Sequence, residues 1–406
     1  MKKIKAKPGD LGLFNPWDTL TSCIILFPWS PIPVPIEKFI KICHNYNMAA
    51  QTAVIGAGAW GTAVAKVIAE KGKDVVMWSF EKDTCDDINK RHVNSRYLPD
   101  VELPENLRAS TDLVDTASDR EFLILAVPSL YLLNTAKQIL EASSIREGTT
   151  AIAVLTKGFL STDKGPRLIL ETLEDYLPGF YRQSLVYIAG PSHAEEVSRG
   201  KITGLIAASE NAKNSIRFRD LLKSKGLFVF SSFDVRGVQV AAAAKNVIAI
   251  AFGMLDAFKT MGQGGTFGDT NLFGDGTESL LLAAGLNEIQ SLGMAMGATH
   301  PETFTSISGI GDLDVTCRSV FGRNRRFGKE IIEKKILEPF KNLDDLLARI
   351  NEMGYLPEGA AAAKYVKVLA EKHKLKMPIA TGVHNILNRE IEPADFLENF
   401  LNGLGH

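Results

Sequence analysis

The sequence has almost no net charge and few of the residues that build disulfide frameworks or metal centres. Among its 406 residues, 46 basic side chains are offset by 47 acidic ones, so the net charge is −1. This balance argues against a broadly basic nucleic-acid-binding protein. The four cysteines lie far apart without a C-x-x-C pair, and the seven histidines form no H-x-x-x-H pair. The sequence therefore indicates neither a disulfide scaffold nor a metal site, and it favours a reducing cytoplasmic location.

A run of about 20 apolar residues, the length that spans a membrane, is missing from the N-terminal region as well. The short apolar run Cys23–Phe27 follows a group of lysines, which partly resembles a signal peptide, but four prolines follow and no convincing cleavage site is present. We interpret residues 1–47 as an N-terminal extension that packs poorly, with the natural start at Met48. A targeting or docking arm is the alternative interpretation.

Short apolar segments alternate with helical ones over the first half of the chain. The predicted strands are 52–55, 74–78, 121–127, 149–155 and 184–189, and the predicted helices between them include 62–71, 131–142 and 165–176. The strands are apolar throughout, as is typical of a parallel sheet covered on both faces. Beyond about Phe233 the pattern is helical, over 238–258, 278–296, 329–337, 344–352 and 360–372. We therefore predict an α/β fold, with a doubly wound, Rossmann-like parallel sheet domain over 48–233 and an all-helical domain over 234–406.

The first predicted strand leads directly into a glycine motif, G-x-G-x-x-G, formed by Gly56, Gly58 and Gly61. A strand before it and a helix after it make this motif typical of a dinucleotide-binding turn, in which helix N–H groups face a pyrophosphate. The acidic Glu81 at the end of the second strand favours NAD, which it would bind through ribose hydroxyls. Nearby Ser79 and Lys82 leave NADP open, and a glycine-rich turn without a ligand is the alternative.

A single lysine interrupts an otherwise apolar helical stretch. Lys245 shares its predicted helix face with six apolar residues, Val238, Ala241, Ala242, Ile248, Ala249 and Phe252. A lysine placed there is partly desolvated, which lowers its pKa and suits it to proton transfer near neutral pH. The alternative is that the side chain extends to the surface. Its neighbour Asn246 either orients a substrate oxygen or satisfies a buried polar contact.

A basic segment, 322–329, precedes another predicted helix. Cations at a helix N-terminus are unfavourable unless an anion binds there, so Arg323 and its neighbours indicate a phosphate site. A solvated basic turn is the alternative. Just upstream, Asp312 and Thr316 supply a carboxylate and a hydroxyl. Asp312 either orients Lys245, binds a substrate hydroxyl or caps a helix.

From about Thr52 to Leu387 the chain resembles the soluble NAD(P)-dependent sn-glycerol-3-phosphate dehydrogenases. The resemblance is carried by eight segments in the family's order: 54–62 with the glycine motif, Val127-Pro-Ser, Thr156-Lys-Gly, Gly190-Pro-Ser-His-Ala, Ala244-Lys-Asn-Val-Ile-Ala, Gly309-Ile-Gly-Asp-Leu, Gly322-Arg-Asn-Arg-Arg-Phe-Gly and Pro357-Glu-Gly. The chain departs from the family at Glu278, where Lys or Arg is common, and in the longer link over 258–279.

The resemblance implies roles for individual residues. Lys245 matches the catalytic lysine that donates a proton to the carbonyl oxygen. The implied substrate-binding residues are Lys157, Gly190, Ser192, Lys245, Asn246, Asp312, Thr316, Arg323 and Asn324. The implied cofactor-binding residues are Gly56, Gly58, Ala59, Trp60, Gly61, Phe80, Glu81, Lys157, Ala194, Arg323 and Glu358. Lys157 and Glu358 also have plain alternatives, as a strand-end lysine and a first-turn helix charge.

The function implied is the interconversion of dihydroxyacetone phosphate and sn-glycerol 3-phosphate with NAD or NADP, which supplies phospholipid synthesis. We expect a phosphorylated triose as substrate, a homodimer, and neither a nucleic-acid partner nor an integral membrane segment. A 3-hydroxyacid or 6-phosphogluconate-type dehydrogenase is one alternative. A cofactor-sensing binding protein without turnover is another.

Overall fold

The computed structural model describes residues 51–261 and 273–396. The proposed N-terminal extension, 1–47, and much of the link over 258–279 lie outside this range. The strands, numbered in chain order, are β1 Thr52–Ile55, β2 Val75–Trp78, β3 Val93–Asn94, β4 Leu98–Glu102, β5 Leu107–Ser110, β6 Phe122–Leu125, β7 Ala151–Val154, β8 Phe159–Thr162, β9 Gly165–Leu168, β10 Val186–Ala189, β11 Thr203–Ala208 and β12 Leu227–Ser232.

Eight of these strands form one sheet in the order β12-β11-β10-β7-β6-β1-β2-β5. All neighbours are parallel except β10 and β11, which are antiparallel. The chain proceeds from β1 outward through β2 to β5, and β6 then returns to the other side of β1. This reversal opens a crevice at the carboxyl ends of β1 and β6, which is where parallel α/β sheets bind their ligands.

Helices cover both faces of the sheet and then make up most of the rest of the chain. The helices of the first part are α1 Ala59–Ala69, α2 Lys82–Arg91, α3 Leu113–Ala117, α4 Ser129–Gln138, α5 Ser143–Arg146, α6 Ile169–Tyr176, α7 Ala194–Val197 and α8 Ala212–Leu222. Those of the second part are α9 Val235–Met261, α10 Asp275–Ala295, α11 Glu302–Thr305, α12 Asp312–Arg318, α13 Arg323–Glu333, α14 Leu343–Ala348, α15 Glu358–His373 and α16 Pro378–Leu387.

Two glycines let α9 and α13 approach each other closely at the centre of the helical part. A Cβ on Gly253 of α9 would lie 1.9 Å from the Arg325 carbonyl oxygen, and a Cβ on Gly328 of α13 would lie 2.0 Å from the Ile250 carbonyl oxygen. Because no larger residue fits at either position, this crossing fixes where the basic first turn of α13 lies relative to the Lys245 helix.

The structure confirms the doubly wound sheet and the helical second part, and it replaces the start of one predicted helix with a strand. The predicted helix over 165–176 begins only at Ile169, because Gly165–Leu168 pairs antiparallel with Phe159–Thr162 as a hairpin. Gly165 has a φ of +92°, which suits the hairpin turn rather than a helix start. Apolar and polar residues hardly alternate in these two strands. Sequence periodicity therefore did not distinguish them from the helix that follows.

One helix in the described part of the chain, Val235–Thr260, is long and apolar enough to cross a membrane, and its most apolar stretch is entirely buried inside the protein. The six apolar residues predicted to share a face with Lys245 are all buried here. Its apolar character is therefore that of a core helix around which the other helices pack.

Candidate active site

The glycine turn after β1 has the shape that a dinucleotide phosphate requires. Gly56 has a φ of +121°, and a Cβ there would lie 2.9 Å from the carbonyl carbon and oxygen of Ala126, at the end of β6. A Cβ on Gly61 would lie 2.1 Å from the Gly56 carbonyl oxygen. A Cβ on Gly58, in contrast, would meet no described atom within 4 Å. Gly56 and Gly61 are therefore fixed by the protein itself, whereas Gly58 borders open space.

The start of α1 supplies hydrogen-bond donors to that open space. Gly58 is the residue before α1, and no side chain in the described part of the chain caps the helix. The first N–H groups of a helix, here those of Ala59, Trp60 and Gly61, have no partner within the helix. Uncapped N–H groups beside a glycine that leaves room for a ligand fit the pyrophosphate of NAD or NADP.

The end of β2 positions the residues predicted to bind the adenosine ribose. Phe80 is 82% exposed. Glu81 precedes α2, and its Oε1 accepts a hydrogen bond from the Tyr97 hydroxyl at 2.6 Å. Arg96 lies 4.0 Å from the same oxygen. Tyr97 and Arg96 were not identified from the sequence, because only the packing of the loop before β4 brings them to Glu81.

Lys245 lies in a buried cluster of charges rather than extending to the surface. Its side chain is 5% exposed, and its Nζ donates to Asp312 Oδ1 at 2.5 Å and to Thr316 Oγ1 at 2.7 Å. Lys157 Nζ, which follows β7, donates to Asp312 Oδ2 at 2.9 Å. Asp312 therefore bridges two ammonium groups, and it is the first residue of α12 rather than its cap.

The environment of Lys245 favours loss of its proton near neutral pH. The pKa of Lys245 is lowered to about 7 overall: burial lowers it most, the Asp312 carboxylate opposes that effect, and the neighbouring Lys157 ammonium adds to it. A lysine tuned in this way serves as a proton donor and acceptor at physiological pH. Such a perturbed group beside a ligand-binding crevice is typical of a catalytic site.

The loop after β10 connects this cluster to the sheet. The Gly190 carbonyl accepts from Lys157 Nζ at 3.4 Å and from Ser192 Oγ at 3.0 Å. Gly190 has a φ of +149°, and a Cβ there would lie 2.6 Å from the Gly204 carbonyl oxygen. Ala194 is buried at the start of α7. These predicted residues therefore form one tight turn at the carboxyl edge of the sheet.

His193 in the same turn was not selected from the sequence. Its Nε2 lies 3.5 Å from the Val315 carbonyl oxygen of α12, and its ring lies 6.1 Å from the ring of Phe321. Burial lowers the pKa of His193, which favours the neutral ring. Its position shows that the turn after β10 contacts the segment that carries Asp312.

The arginine segment forms the first turn of α13, which begins at Arg323, earlier than predicted. Arg325 pairs with Asp256 at 2.5 Å and Arg326 pairs with Glu330 at 3.0 Å. Arg323 is exposed, and it forms no ion pair or hydrogen bond with any residue in the described part of the chain. It is therefore the arginine of this turn whose guanidinium is available to an anion.

Close contacts connect α13 to the Lys245 helix and to α15. Asn324 Oδ1 accepts a hydrogen bond from the Gly359 N–H at 2.8 Å, and a Cβ on Gly359 would lie 2.6 Å from the Asn246 carbonyl oxygen. Glu358 is therefore held next to Asn324 and Asn246. A Cβ on Gly322 would lie 2.9 Å from the Thr316 carbonyl oxygen. Gly322 therefore packs against α12, the helix whose Asp312 and Thr316 accept hydrogen bonds from Lys245. Arg323 directly follows Gly322.

The predicted residues fall into two groups. The first, called the catalytic group after its predicted role, contains residues that are linked by the contacts above or are chain neighbours of linked residues: Lys157, Gly190, Ser192, Ala194, Lys245, Asn246, Asp312, Thr316, Arg323, Asn324 and Glu358. The nucleotide group comprises Gly56, Gly58, Ala59, Trp60, Gly61, Phe80 and Glu81 at the ends of β1 and β2. A nucleotide-type turn and a buried, titratable lysine in one chain are the features of a dehydrogenase-type site.

Comparison with known proteins identifies the family within that class. The models of the N-terminal and C-terminal domains of NAD-dependent glycerol-3-phosphate dehydrogenase match residues 51–215 and 234–398. The chain therefore belongs to the NAD-dependent glycerol-3-phosphate dehydrogenase family.

Relatives in sequence and structure agree with this assignment. The chain is 55% identical over 357 residues to glycerol-3-phosphate dehydrogenase [NAD(P)+] of Treponema denticola, covering 86% of this chain and 98% of the relative. It is 35% identical over 341 residues to the enzyme of that name from Enterococcus faecalis, covering 84% and 92%. The crystal structure of glycerol-3-phosphate dehydrogenase from Coxiella burnetii matches with a TM-score of 0.73 at 30% identity, covering 87% of this chain and 99% of that one.

Proposed function

We propose that this protein interconverts dihydroxyacetone phosphate and sn-glycerol 3-phosphate with NAD or NADP, and so supplies glycerol 3-phosphate for phospholipid synthesis. The observation that carries the proposal is the buried Lys245–Asp312–Lys157 cluster together with Arg323, whose guanidinium has no partner among the described residues. A ketone with a phosphate tail needs both a proton donor and an anion site, and in this chain they lie on α9 and α13, which are in contact.

Lys245 donates a proton to the C2 oxygen of the substrate as negative charge develops there, and before that transfer its ammonium stabilises the charge. The reduced nicotinamide, when bound, supplies the hydride. Asp312 and Thr316 hold the Lys245 ammonium in place, because each accepts one of its hydrogen bonds. In the oxidation direction Lys245 is neutral and accepts the substrate hydroxyl proton.

Substrate orientation is assigned to the groups around this lysine. Arg323 and the α13 start bind the phosphate, since a guanidinium and free N–H groups suit its oxygens. Lys157, Gly190, Ser192, Asn246, Thr316 and Asn324 surround the glycerol portion. The cofactor is assigned to the turn 56–61, the adenosine-side pair Phe80 and Glu81, and Lys157, Ala194, Arg323 and Glu358.

The domain division, assembly and location are proposed as well. A nucleotide-binding domain over 48–233 and a helical substrate domain over 234–406 are supported by the end of β12 at Ser232 and the start of α9 at Val235. A homodimer is supported by Phe228 and Phe230, which are exposed on the edge strand β12. A cytoplasmic location is supported by Cys85 and Cys317, which are buried free thiols.

An assay of the purified chain tests the function. NADH and NADPH oxidation are each followed with dihydroxyacetone phosphate, with 3-keto acids, and in reverse with 6-phosphogluconate. We expect turnover on the triose phosphate alone, with sn-glycerol 3-phosphate as product. Turnover confined to the acids would assign the alternative dehydrogenase class. Cofactor binding without turnover on any of them would assign a sensing protein.

A further inference from the structure

Tyr187 carries a buried hydroxyl that the proposed reaction does not yet use. Its side chain is 0% exposed on β10, and its hydroxyl has no hydrogen-bond partner among residues 51–261 and 273–396. Most buried hydroxyls in proteins are paired, because an unpaired one loses its bonds to water without replacement. The position of this hydroxyl therefore calls for a functional reason.

Strand register places Tyr187 on the strands that lead into the catalytic group. It is aligned with Val154, three residues before Lys157, and it lies three residues before Gly190. Its side chain belongs to an apolar cluster that also contains Ala242, one helical turn before Lys245, and against which Ile307 packs. Ile307 begins the turn that leads into Asp312. The ring thus lies on the face of the sheet that carries the Lys245–Asp312 pair.

Two carboxylates act on this hydroxyl from different helices. Burial first, then the charges of Asp312 on α12 and Glu358 on α15, hold the pKa of Tyr187 well above its usual value. The phenol is therefore a permanent hydrogen-bond donor at working pH. Both carboxylates are close enough to act electrostatically on the hydroxyl. The two helices that carry these carboxylates are brought together by tertiary packing alone.

Asp312 can accept a further donor. An ionised carboxylate offers about four lone-pair positions. Oδ1 accepts from both Lys245 and Lys157, whereas the sole donor to Oδ2 within the described ranges is Lys157, at 2.9 Å. One buried water that accepts from Tyr187 and donates to Asp312 would give the hydroxyl the partner it lacks, which is the usual role of a buried water.

We infer that Tyr187 is a positioning residue whose hydroxyl, through one buried water, donates a hydrogen bond to Asp312 and so weakens the hold of that carboxylate on the Lys245 proton. The inference rests on the proposed function, since it assigns Tyr187 to the acidity of the proton donor. A water whose hydrogens face Asp312 reduces the negative field at Lys245, which makes the proton easier to transfer.

The test is the pH dependence of kcat/KM for dihydroxyacetone phosphate in Tyr187→Phe. That rate needs protonated Lys245, so it falls as pH rises through the pKa of Lys245. Without the hydroxyl and its water, Asp312 holds the proton more strongly, and we expect this basic limb to move up by about half a pH unit. The ionisable or charged groups around Lys245 and Tyr187 are unchanged in this variant: Lys157, His193, Asp312, Cys317, Arg323 and Glu358.

Tyr181→Phe is the matched control. Tyr181 is equally buried, but its hydroxyl donates to the Thr150 carbonyl oxygen at 3.0 Å, before β7 and so at the opposite edge of the sheet. Its loss should lower the midpoint of thermal unfolding and leave the pH profile unchanged. If Tyr187 is merely structural, Tyr187→Phe would likewise leave the pH profile unchanged. If its hydroxyl also has no bound water, Tyr187→Phe would raise the midpoint of thermal unfolding.

A titration without turnover separates this inference from the proposed function. The carbon-13 signal of the Lys245 side chain, assigned by its absence in Lys245→Arg, is followed against pH in the wild-type chain and in Tyr187→Phe. An upward shift of the Lys245 titration in Tyr187→Phe supports the inference even if no triose phosphate is turned over. A titration that stays in place or moves down overturns it.

Discussion

The sheet and the helical part of this molecule present their functional groups in two different ways. In the sheet part, a nucleotide site is built from six consecutive residues, 56–61. Contacts with each other and with the segment after β6 fix Gly56 and Gly61, and Gly58 borders open space. In the helical part, Lys245, Asp312, Arg323 and Glu358 come from four helices spread over more than a hundred residues. Backbone groups dominate the first site and charged side chains the second.

The two sites are therefore sensitive to different kinds of substitution. A backbone site depends on the absence of side chains, so added atoms harm it. A site of buried charges depends on partners that are distant in sequence, so removed atoms harm it. Glu288 of α10 is another buried charge that depends on partners distant in sequence. Its carboxylate accepts hydrogen bonds from the N–H groups of Ile379 and Ala380 at 2.6 and 3.0 Å, and it therefore caps the start of α16.

Loss of Lys245 should have the largest effect. We expect Lys245→Ala to lower kcat for dihydroxyacetone phosphate reduction about 10³-fold, since general acid catalysis contributes on this scale. The fold should survive because Asp312 keeps Lys157 as its partner. NADH affinity, measured by fluorescence titration, should stay the same. The control is Lys364→Ala, an exposed lysine paired with Asp344, which should change neither quantity. Full turnover in Lys245→Ala would remove the catalytic role.

Glu288 should make stability depend on pH. Burial raises the pKa of Glu288 to about 7, although the two backbone N–H groups lower it. Between about pH 4.5 and 7 the folded protein keeps a proton that the unfolded chain releases, so the free energy of unfolding falls as pH rises, by about 3 kcal/mol at most. Urea unfolding of wild type and Glu288→Gln across this range measures the difference.

We expect the slope to be reduced in Glu288→Gln and kept in Glu371→Gln, an exposed glutamate paired with Lys367. An equal slope in all three proteins would show that Glu288 is already ionised when folded.

Loss of Arg323 should act on substrate binding. We expect Arg323→Ala to raise KM for dihydroxyacetone phosphate about 10- to 100-fold with a small change in kcat, because phosphate binding is shared by the ground and transition states. Arg326→Ala is the matched control, since its guanidinium is exposed on the same helix but paired with Glu330. If Arg326→Ala raises KM and Arg323→Ala does not, the phosphate site is misplaced.

An added methyl group at Gly58 should harm the nucleotide site alone. Because a Cβ there meets no described atom, Gly58→Ala should fold with unchanged stability and bind NADH about tenfold more weakly. Gly276→Ala, at an equally open position near the start of α10, should leave NADH binding unchanged. Unchanged binding in Gly58→Ala would place the pyrophosphate elsewhere.

The nucleotide half was predictable from the sequence because its information is local. Gly56, Gly58 and Gly61 form a contiguous motif between a strand and a helix, and the structure has the predicted turn. The sheet order and the hairpin 159–168 were not predictable, because they depend on which distant strands pair. Tyr97 reaches Glu81 only through loop packing.

In the helical half, single residues were predictable but their contacts were not. Lys245 was identified by its apolar helix face. The structure buries its side chain, as expected for a desolvated lysine and not for one that extends to the surface. That Asp312 bridges Lys245 and Lys157 follows from tertiary packing alone. Gly253 and Gly328 allow the close crossing of α9 and α13, yet a glycine within a helix gives no signal of what it contacts. Glu278, a departure from the family, is balanced by Lys259 at 2.9 Å and Arg318 at 3.1 Å.

The central claim is that Lys245 transfers the proton, and the pH dependence of both reaction directions tests it most directly. Dihydroxyacetone phosphate reduction should fall and glycerol 3-phosphate oxidation should rise through one shared pKa near 7, because one direction needs the ammonium and the other the free amine. The mirrored limbs should vanish in Lys245→Ala. Two profiles that are flat across neutral pH, or that keep their limbs without Lys245, would contradict the account.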